Sequence, residues 1–177
     1  MADVVTTERL DLIPLEPPIL RWIESGDVAA VERAIGARVP AGWTETIPAR
    51  LRLEQLAADA SEQPWLVRAM VLRQSGQVVG SVGFHARPDE HGRVELGYDV
   101  VPAHRRKGYA REAILALTRW VVGTQGARIC VASISPDNAA SIALVRSLGF
   151  RRIGERIDDV DGLEYVFERA FPLSDTR

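Results

Sequence analysis

The chain has 177 residues, of which 46% are hydrophobic and 26% are charged. That size and composition suit one soluble globular domain, spanning residues 1–177, with one hydrophobic core. A formal net charge of -2 excludes a strongly basic protein, so we expect no nucleic-acid partner and no membrane partner.

Cysteine and histidine are scarce, which argues against disulfides and metal sites. Cys130 is the single cysteine, and the histidines are His85, His91 and His104. No two histidines are four residues apart, so we expect no metal ion. The first ten residues lack a long apolar stretch, and no segment has the roughly 20 apolar residues that span a membrane. We therefore expect a cytoplasmic protein.

The first part of the chain predicts a strand and then three helices. The segment "TTERLDLIPL" alternates enough to form a first strand that ends at Pro14. A helix is predicted to begin at Pro17 and Pro18, and a second to follow Asp27 and end near Gly36. The segment "GWTETIP" is predicted to be a loop, and "PARLRLEQLAADA" a third helix.

The second part alternates strands with helices. "WLVRAMVLRQSGQVVGSVGFHARP" predicts two strands joined at Ser75 and Gly76, and "GRVELGYDVVP" predicts a further strand. "GYAREAILALTRWVV" and "PDNAASIALVRSLGF" have helical spacing and enclose a short strand, "ARICVASIS". "FRRIGERID" and "LEYVFERAF" predict two closing strands. This order favours a mixed α/β sheet flanked by helices.

A run of cations stands between the "VELGYDVVP" strand and the helix that follows it. Arg105, Arg106 and Lys107 precede Gly108, where the backbone can approach a ligand closely. A helix N-terminus offers free N–H groups and partial positive charge, so amides of residues 106–110 can bind a pyrophosphate. The alternative is an ordinary solvated basic turn. The P-loop and dinucleotide-binding glycine patterns are both absent.

Two sequence blocks resemble a known family. "RRKGYA" at residues 105–110 is similar to the [QR]-x-x-G-x-[GA] signature of the GNAT acyl-CoA N-acyltransferases. "SPDNAASIALVRSLGF" resembles the second block of that family, in which Asn138 begins a helix that ends at Gly149 and Phe150. "TTERLDLIPL" and "ELGYDV" resemble the branch that includes the ribosomal-protein alanine N-acetyltransferases.

The resemblance implies a fold and a binding site for acetyl-CoA. The fold is an α/β (α+β) domain with a mixed, mostly antiparallel sheet of about seven strands. That sheet is splayed in the middle, between the strand ending near Val100 and the strand at 128–134. The pantetheine arm would lie in the gap against the backbone of Val100, and Asn138 would touch the pantetheine or its sulfur end. The residues implied around the pyrophosphate are Arg105, Arg106, Lys107, Gly108, Tyr109 and Ala110.

The resemblance also directs attention to catalytic residues. Glu95 lies on the strand beside the gap and is our candidate base, acting through water. His85 is a second candidate base. Many relatives carry a tyrosine seven residues after the asparagine, where this chain has Val145, so Ser141 is our candidate hydrogen-bond donor to the leaving thiolate. A strand glutamate used by some relatives is replaced here by Ser133.

The implied activity is N-acetylation. The acetyl group would move from acetyl-CoA to a primary amine by direct attack in a ternary complex. The acceptor is a protein N-terminal α-amine, an amino acid or a small amine, and the branch resemblance favours the α-amine. Trp43 is a candidate for lining the acceptor pocket. The alternative is a non-catalytic acyl-CoA-binding or regulatory module. Dimers are common among similar proteins, so a homodimer is one expected assembly.

Overall fold

A mixed, mostly antiparallel sheet forms the centre of the molecule. The computed structural model describes residues 3–122, 126–160 and 162–173. Within them, eight strands form one sheet in the order β1-β2-β3-β4-β5-β6-β8-β7, and the predicted fold class is confirmed. The strands are β1 (Val5–Thr6), β2 (Leu10–Pro14), β3 (Arg68–Leu72), β4 (Gln77–Phe84), β5 (Arg93–Val100), β6 (Ile129–Ile134), β7 (Arg151–Asp158) and β8 (Gly162–Ala170).

The helices begin and end where the local sequence dictates. They are α1 (Pro17–Ser25), α2 (Val28–Ile35), α3 (Ala49–Ala58), α4 (Tyr109–Val122) and α5 (Ala139–Ser147). Pro17 occupies the first turn of α1, and Gly26 ends that helix in a left-handed conformation at φ 77°. The Asp27 side chain accepts a hydrogen bond from the Ala30 amide and so caps α2.

The middle of the sheet opens into a fork. β5 and β6 are parallel neighbours, and their pairing runs only from Arg93 opposite Ile129 to Glu95 opposite Val131. Beyond that point β5 stays paired with β4 as far as Val100, while β6 stays paired with β8. The β5–β6 fork is the gap between residues 96–100 of β5 and 132–134 of β6. This is the splay that the family resemblance implied.

Apolar side chains fill both faces of the sheet. α4 and α5 cover one face, where Ile114, Leu117 and Val145 pack against β-strand residues such as Leu96. α1, α2 and α3 form a second cluster, centred on Leu20, with buried residues of β3 and β4. The expectation of one core is wrong, because a sheet covered on both faces separates its apolar side chains into two layers.

The first predicted strand is interrupted by a turn. The Leu10 amide donates to the Thr7 hydroxyl oxygen at 2.8 Å, and the Thr7 amide donates to the Leu10 carbonyl at 2.8 Å. This turn folds β1 back on β2 as an antiparallel pair. It raises the strand count from about seven to eight.

The loop expected before α3 contains a short 3-10 turn, Thr44–Thr46. Trp43 is 1% exposed within the second apolar cluster, so the expectation that it lines a pocket is wrong. Among the described residues, no helix combines the length and apolar character that a bilayer crossing requires.

Candidate functional site

Main-chain groups of β5 line the β5–β6 fork. The His85 amide donates to the Glu95 carbonyl at 2.8 Å, and the Val101 amide donates to the Val79 carbonyl at 2.9 Å. In an antiparallel pair, alternate residues direct both main-chain groups at the partner strand. The main-chain groups of Glu95 and of every second residue after it therefore point to β4. Those of Leu96, Tyr98 and Val100 point the other way. The Leu96 amide still lies within the ladder that ends at the Glu95–Val131 pair, whereas the amides of Tyr98 and Val100 face the fork.

The basic loop, residues 105–109, joins the end of β5 to α4 through two left-handed residues. Arg106 has φ 63° and Gly108 has φ 82°. Within the described parts of the chain, no main-chain amide from Arg106 to Ala110 donates a hydrogen bond to protein. Gly108 precedes the first residue of α4 and accepts from the Glu112 amide at 3.1 Å. Unpaired amides in such a turn, at the positive end of a helix, are a suitable site for an anion.

The cations of the basic loop have different surroundings. Arg105 donates from Nε to the Val100 carbonyl oxygen at 2.8 Å, and its Nη2 lies 3.6 Å from Asp99 Oδ1. Arg106 and Lys107 are exposed. Arg105 thus holds the end of β5, whereas Arg106 and Lys107 add positive charge around the unpaired amides.

A cluster of charged groups lies on the opposite side of β5 from α4 and α5. Glu95 accepts two hydrogen bonds from Arg156, at 3.1 and 2.8 Å. Arg156 Nε also donates to Glu164 at 2.9 Å. His85 Nδ1 lies 3.8 Å from Glu95 Oε1. We call these four residues the His85 cluster. It stands where β5 and β6 separate, because Glu95 belongs to the last residue pair before the fork.

His85 is held by its main chain and keeps an open imidazole edge. Its carbonyl accepts hydrogen bonds from Arg52 at 2.8 Å and Gln55 at 3.0 Å, both on α3. The ring packs against Gly97, where an added Cβ would lie 2.7 Å from Nε2. Loss of hydration lowers the pKa of His85 below its ordinary value, although Glu95 acts in the opposite direction. Because its pKa is lowered, the imidazole is neutral at neutral pH. Its side chain is 49% exposed, so this neutral ring faces solvent.

Polar groups at the start of α5 form the other side of the site. Asn138 Oδ1 accepts from the Ser141 amide at 3.1 Å and caps the helix, which leaves its Nδ2 group for other partners. The Tyr98 hydroxyl is buried and, among the described residues, makes no hydrogen bond of normal geometry. Burial raises the pKa of Tyr98, and the nearby Ser141 hydroxyl opposes that change.

Other residues that the sequence singled out are buried. Val145 has no hydroxyl, and its side chain is 0% exposed in the α4–α5 layer. This position therefore donates no hydrogen bond to a ligand. The Ser133 hydroxyl is buried without a hydrogen-bond partner among the described residues. Cys130 is buried, and burial raises the pKa of its thiol, which disfavours the thiolate. In the described ranges, no group of three or more His, Cys, Asp or Glu residues is placed to hold a metal ion.

The structure adds residues that the sequence analysis did not select. Arg156 and Glu164 complete the His85 cluster, and Arg9 contacts the basic loop. No short motif connects them to the site, because Arg156 is 61 residues from Glu95 and Arg9 is 98 residues from Lys107. The ring of Tyr98 packs against the apolar cluster under α4 and α5, and nothing in the local sequence indicates that its hydroxyl is buried.

Comparison with known proteins identifies relatives of this arrangement. A family model described as an acetyltransferase (GNAT) domain matches residues 18–151. The uncharacterized N-acetyltransferase YjdG of Bacillus subtilis is 29% identical over 153 residues, which cover 83% of this chain and 89% of that protein. The uncharacterized N-acetyltransferase YoaA of the same organism is 34% identical over 82 residues, 46% of each chain. A solved structure from Bordetella pertussis, assigned to the GNAT acetyltransferases, shares 28% identity and a TM-score of 0.69. It covers 95% of this chain and 99% of its own.

Proposed function

This chain belongs to the GNAT acetyltransferase family, and on that premise we propose that it transfers an acetyl group from acetyl-CoA to an α-amine. The observation that carries the proposal is the row of unpaired amides at residues 106–110, next to an open fork in the sheet. Such a row of amides fits a diphosphate. Such a fork fits a long arm that contains amide groups.

The residues present fit coenzyme A in two places. The amides of the basic loop and the first turn of α4 match the pyrophosphate, and the exposed cations Arg106 and Lys107 increase the attraction. The fork-facing amide of Val100 matches a carbonyl oxygen of the pantetheine arm. The Nδ2 group of Asn138 is available beside the sulfur end, because the cap uses Oδ1 alone.

Activation of the thioester is assigned to the main chain of β5. The thioester supplies an acyl carbon that an amine can attack directly. A fork-facing amide such as that of Tyr98 donates to the oxygen that gains negative charge during the attack. A fixed donor of this kind contributes more than water because it needs no reorganisation as the charge forms.

Removal of the proton from the acceptor is assigned to His85. Its imidazole is neutral and half-exposed, and Glu95 at 3.8 Å stabilises the imidazolium that results. Glu95 was our first candidate base, and we now give it this supporting role because Arg156 occupies both of its oxygens. An α-amine has a pKa of about 7.7–8.0, against about 10.4 for lysine, so a weak base of this kind suits an α-amine.

The leaving thiolate receives its hydrogen bond from Ser141 in this proposal. Ser141 lies one helical turn beyond Asn138, and its amide is already fixed by the cap. A thiol with a pKa of about 8.5 needs little assistance to leave, so a serine hydroxyl suffices where relatives carry a tyrosine. A cytoplasmic location and a homodimer remain predictions.

A thiol-release assay tests the function. We expect coenzyme A to be released from acetyl-CoA in the presence of short peptides with a free N-terminus. Nα-blocked lysine should react at least tenfold more slowly, because a smaller fraction of its amine is neutral. Tight binding of acetyl-CoA without turnover across a broad amine panel would favour the non-catalytic module instead.

A further inference from the structure

Arg9 connects the turn between β1 and β2 to the first turn of α4. Its Nε donates to Glu112 Oε2 at 2.6 Å, and its amide donates to Glu112 Oε1 at 2.8 Å. The Thr7 hydroxyl donates to the same Oε1 at 2.6 Å. The Glu112 carboxylate therefore receives three donors from one turn and fixes that turn against the helix.

The properties of Glu112 agree with a firm attachment. Its side chain is only 18% exposed. Partial burial acts to raise the pKa of Glu112, but the hydrogen bonds from Thr7 and Arg9 outweigh this and hold the pKa below its ordinary value. The carboxylate is thus charged at neutral pH and sets the position of the guanidinium of Arg9.

The same guanidinium lies beside three consecutive residues of the basic loop. Its Nη1 donates to the Lys107 carbonyl oxygen at 3.0 Å. A Cβ added to Gly108 would lie 3.3 Å from its Nη2. Its Cζ atom lies 4.7 Å from the centre of the Tyr109 ring. Arg9 therefore determines the conformation of the loop at the point where α4 begins.

The geometry of the peptide bond explains how the contact with the Lys107 carbonyl orients the Gly108 amide. In a trans peptide, the carbonyl oxygen and the following N–H group point in opposite directions. Because Arg9 holds the Lys107 carbonyl on its own side, the Gly108 amide is directed to the opposite side of the loop. The unpaired amides of the loop then remain available to one anion instead of turning toward the protein.

We infer that Arg9 is a positioning residue for the diphosphate of coenzyme A, acting through the Lys107–Gly108 peptide. This inference rests on the proposed function, because it assumes that the basic loop receives the diphosphate. It differs from the contribution of Arg106 and Lys107, which add charge but do not hold the loop. Loss of Arg9 should weaken binding of ligands that contain the diphosphate and spare those that lack it.

Calorimetry with two ligands tests the inference. We expect Arg9→Gln to raise the dissociation constant for coenzyme A about tenfold, as expected for loss of hydrogen bonds from a charged group. The dissociation constant for S-acetylpantetheine, which has no diphosphate, should stay within about twofold of the wild-type value. Glu112→Gln, which loosens Arg9 without removing it, should weaken coenzyme A binding by about threefold and serves if Arg9→Gln does not fold.

Arg73 provides a matched control. Its Nη1 donates to the carbonyls of Thr7 and Glu8 at 3.2 Å each, so it holds the same turn without touching the basic loop. Arg73→Gln should leave coenzyme A affinity within about twofold. Unchanged coenzyme A affinity in Arg9→Gln, or equal weakening of both ligands, would overturn the inference. Failure of the wild-type protein to bind coenzyme A would instead overturn the proposed function.

Discussion

Gly108 is the residue at which the proposed phosphate site is most sensitive to substitution. At φ 82° a side chain costs about 1–2 kcal/mol, and a Cβ would also press on Arg9 Nη2 at 3.3 Å. We expect Gly108→Ala to lower the free energy of unfolding by about that amount and to weaken coenzyme A binding about tenfold. Thermal unfolding and calorimetry measure the two effects.

Gly26 at the end of α1 serves as the control for Gly108. It has φ 77°, and nothing lies within 4 Å of the position that a Cβ would occupy. Gly26→Ala should therefore lose comparable stability while keeping its affinity for coenzyme A. If both variants bind coenzyme A as tightly as the wild type, the basic loop is not the diphosphate site.

The pKa of His85 should respond to its charged neighbours with opposite signs. Glu95 raises that pKa and Arg156 lowers it, so Glu95→Gln should lower the pKa and Arg156→Gln should raise it. An NMR titration of the imidazole measures both shifts. If His85 is the base, the acidic limb of kcat/KM moves in the same direction as its pKa, because the neutral imidazole is the active form. If the pH dependence of kcat/KM is the same in both variants as in the wild type, His85 is not the base.

At the scale of elements, the start of α5 combines two roles of Asn138 that substitution can separate. Asn138→Ala removes the cap on the Ser141 amide and should cost about 1 kcal/mol of stability. Asn138→Asp keeps an oxygen acceptor for that amide but lacks the Nδ2 donor. We expect the aspartate variant to retain stability while its KM for acetyl-CoA rises. Equal KM values in the aspartate variant and the wild type would restrict Asn138 to capping.

Local sequence predicted most elements but not the contacts between them. The five helices of the described residues were expected near their observed bounds, because proline, aspartate and glycine mark their ends and apolar spacing marks their faces. The turn at residues 7–9 was missed, because a side-chain contact between Thr7 and Glu112, 105 residues away, accompanies it. Trp43 was misassigned because aromatic residues in a loop carry no local sign of burial.

In the candidate site too, the local sequence predicts one element but not the contacts between elements. The basic loop follows from a short motif, whereas the His85 cluster depends on Arg156 of β7 meeting Glu95 of β5. In the sheet, β6 and β8 lie between these two strands, so the contact depends on the tertiary structure and not on any one segment. The expected role of Ser141 remains a prediction, and for Glu95 our proposal replaces the expected role as base with support of His85.

At the scale of the molecule, the sheet consists of two parts joined by a short ladder. β1–β5 and β6–β8 are connected by the pairing of residues 93–95 with 129–131. A ligand in the fork contacts both parts and should stabilise the whole chain. Coenzyme A at a hundred times its dissociation constant contributes about 2.7 kcal/mol, which raises Tm by about 5–10 °C in a chain of this size.

A coenzyme A fragment separates the two ends of the proposed site. The 3′-phospho-ADP portion lacks the pantetheine arm, so it should bind the basic loop without occupying the fork. Its effect on Tm at the same concentration should be smaller than that of the intact molecule. Equal shifts from both ligands would show that the fork contributes nothing to binding.

Hydrogen exchange followed by mass spectrometry tests most directly whether the fork and the basic loop receive coenzyme A. The unpaired amides of Tyr98, Val100 and residues 106–110 should exchange rapidly in the free protein. We predict that coenzyme A slows exchange most in peptides covering 96–111 and much less in peptides from α2. Protection that appears elsewhere, with residues 96–111 unaffected, would contradict the account.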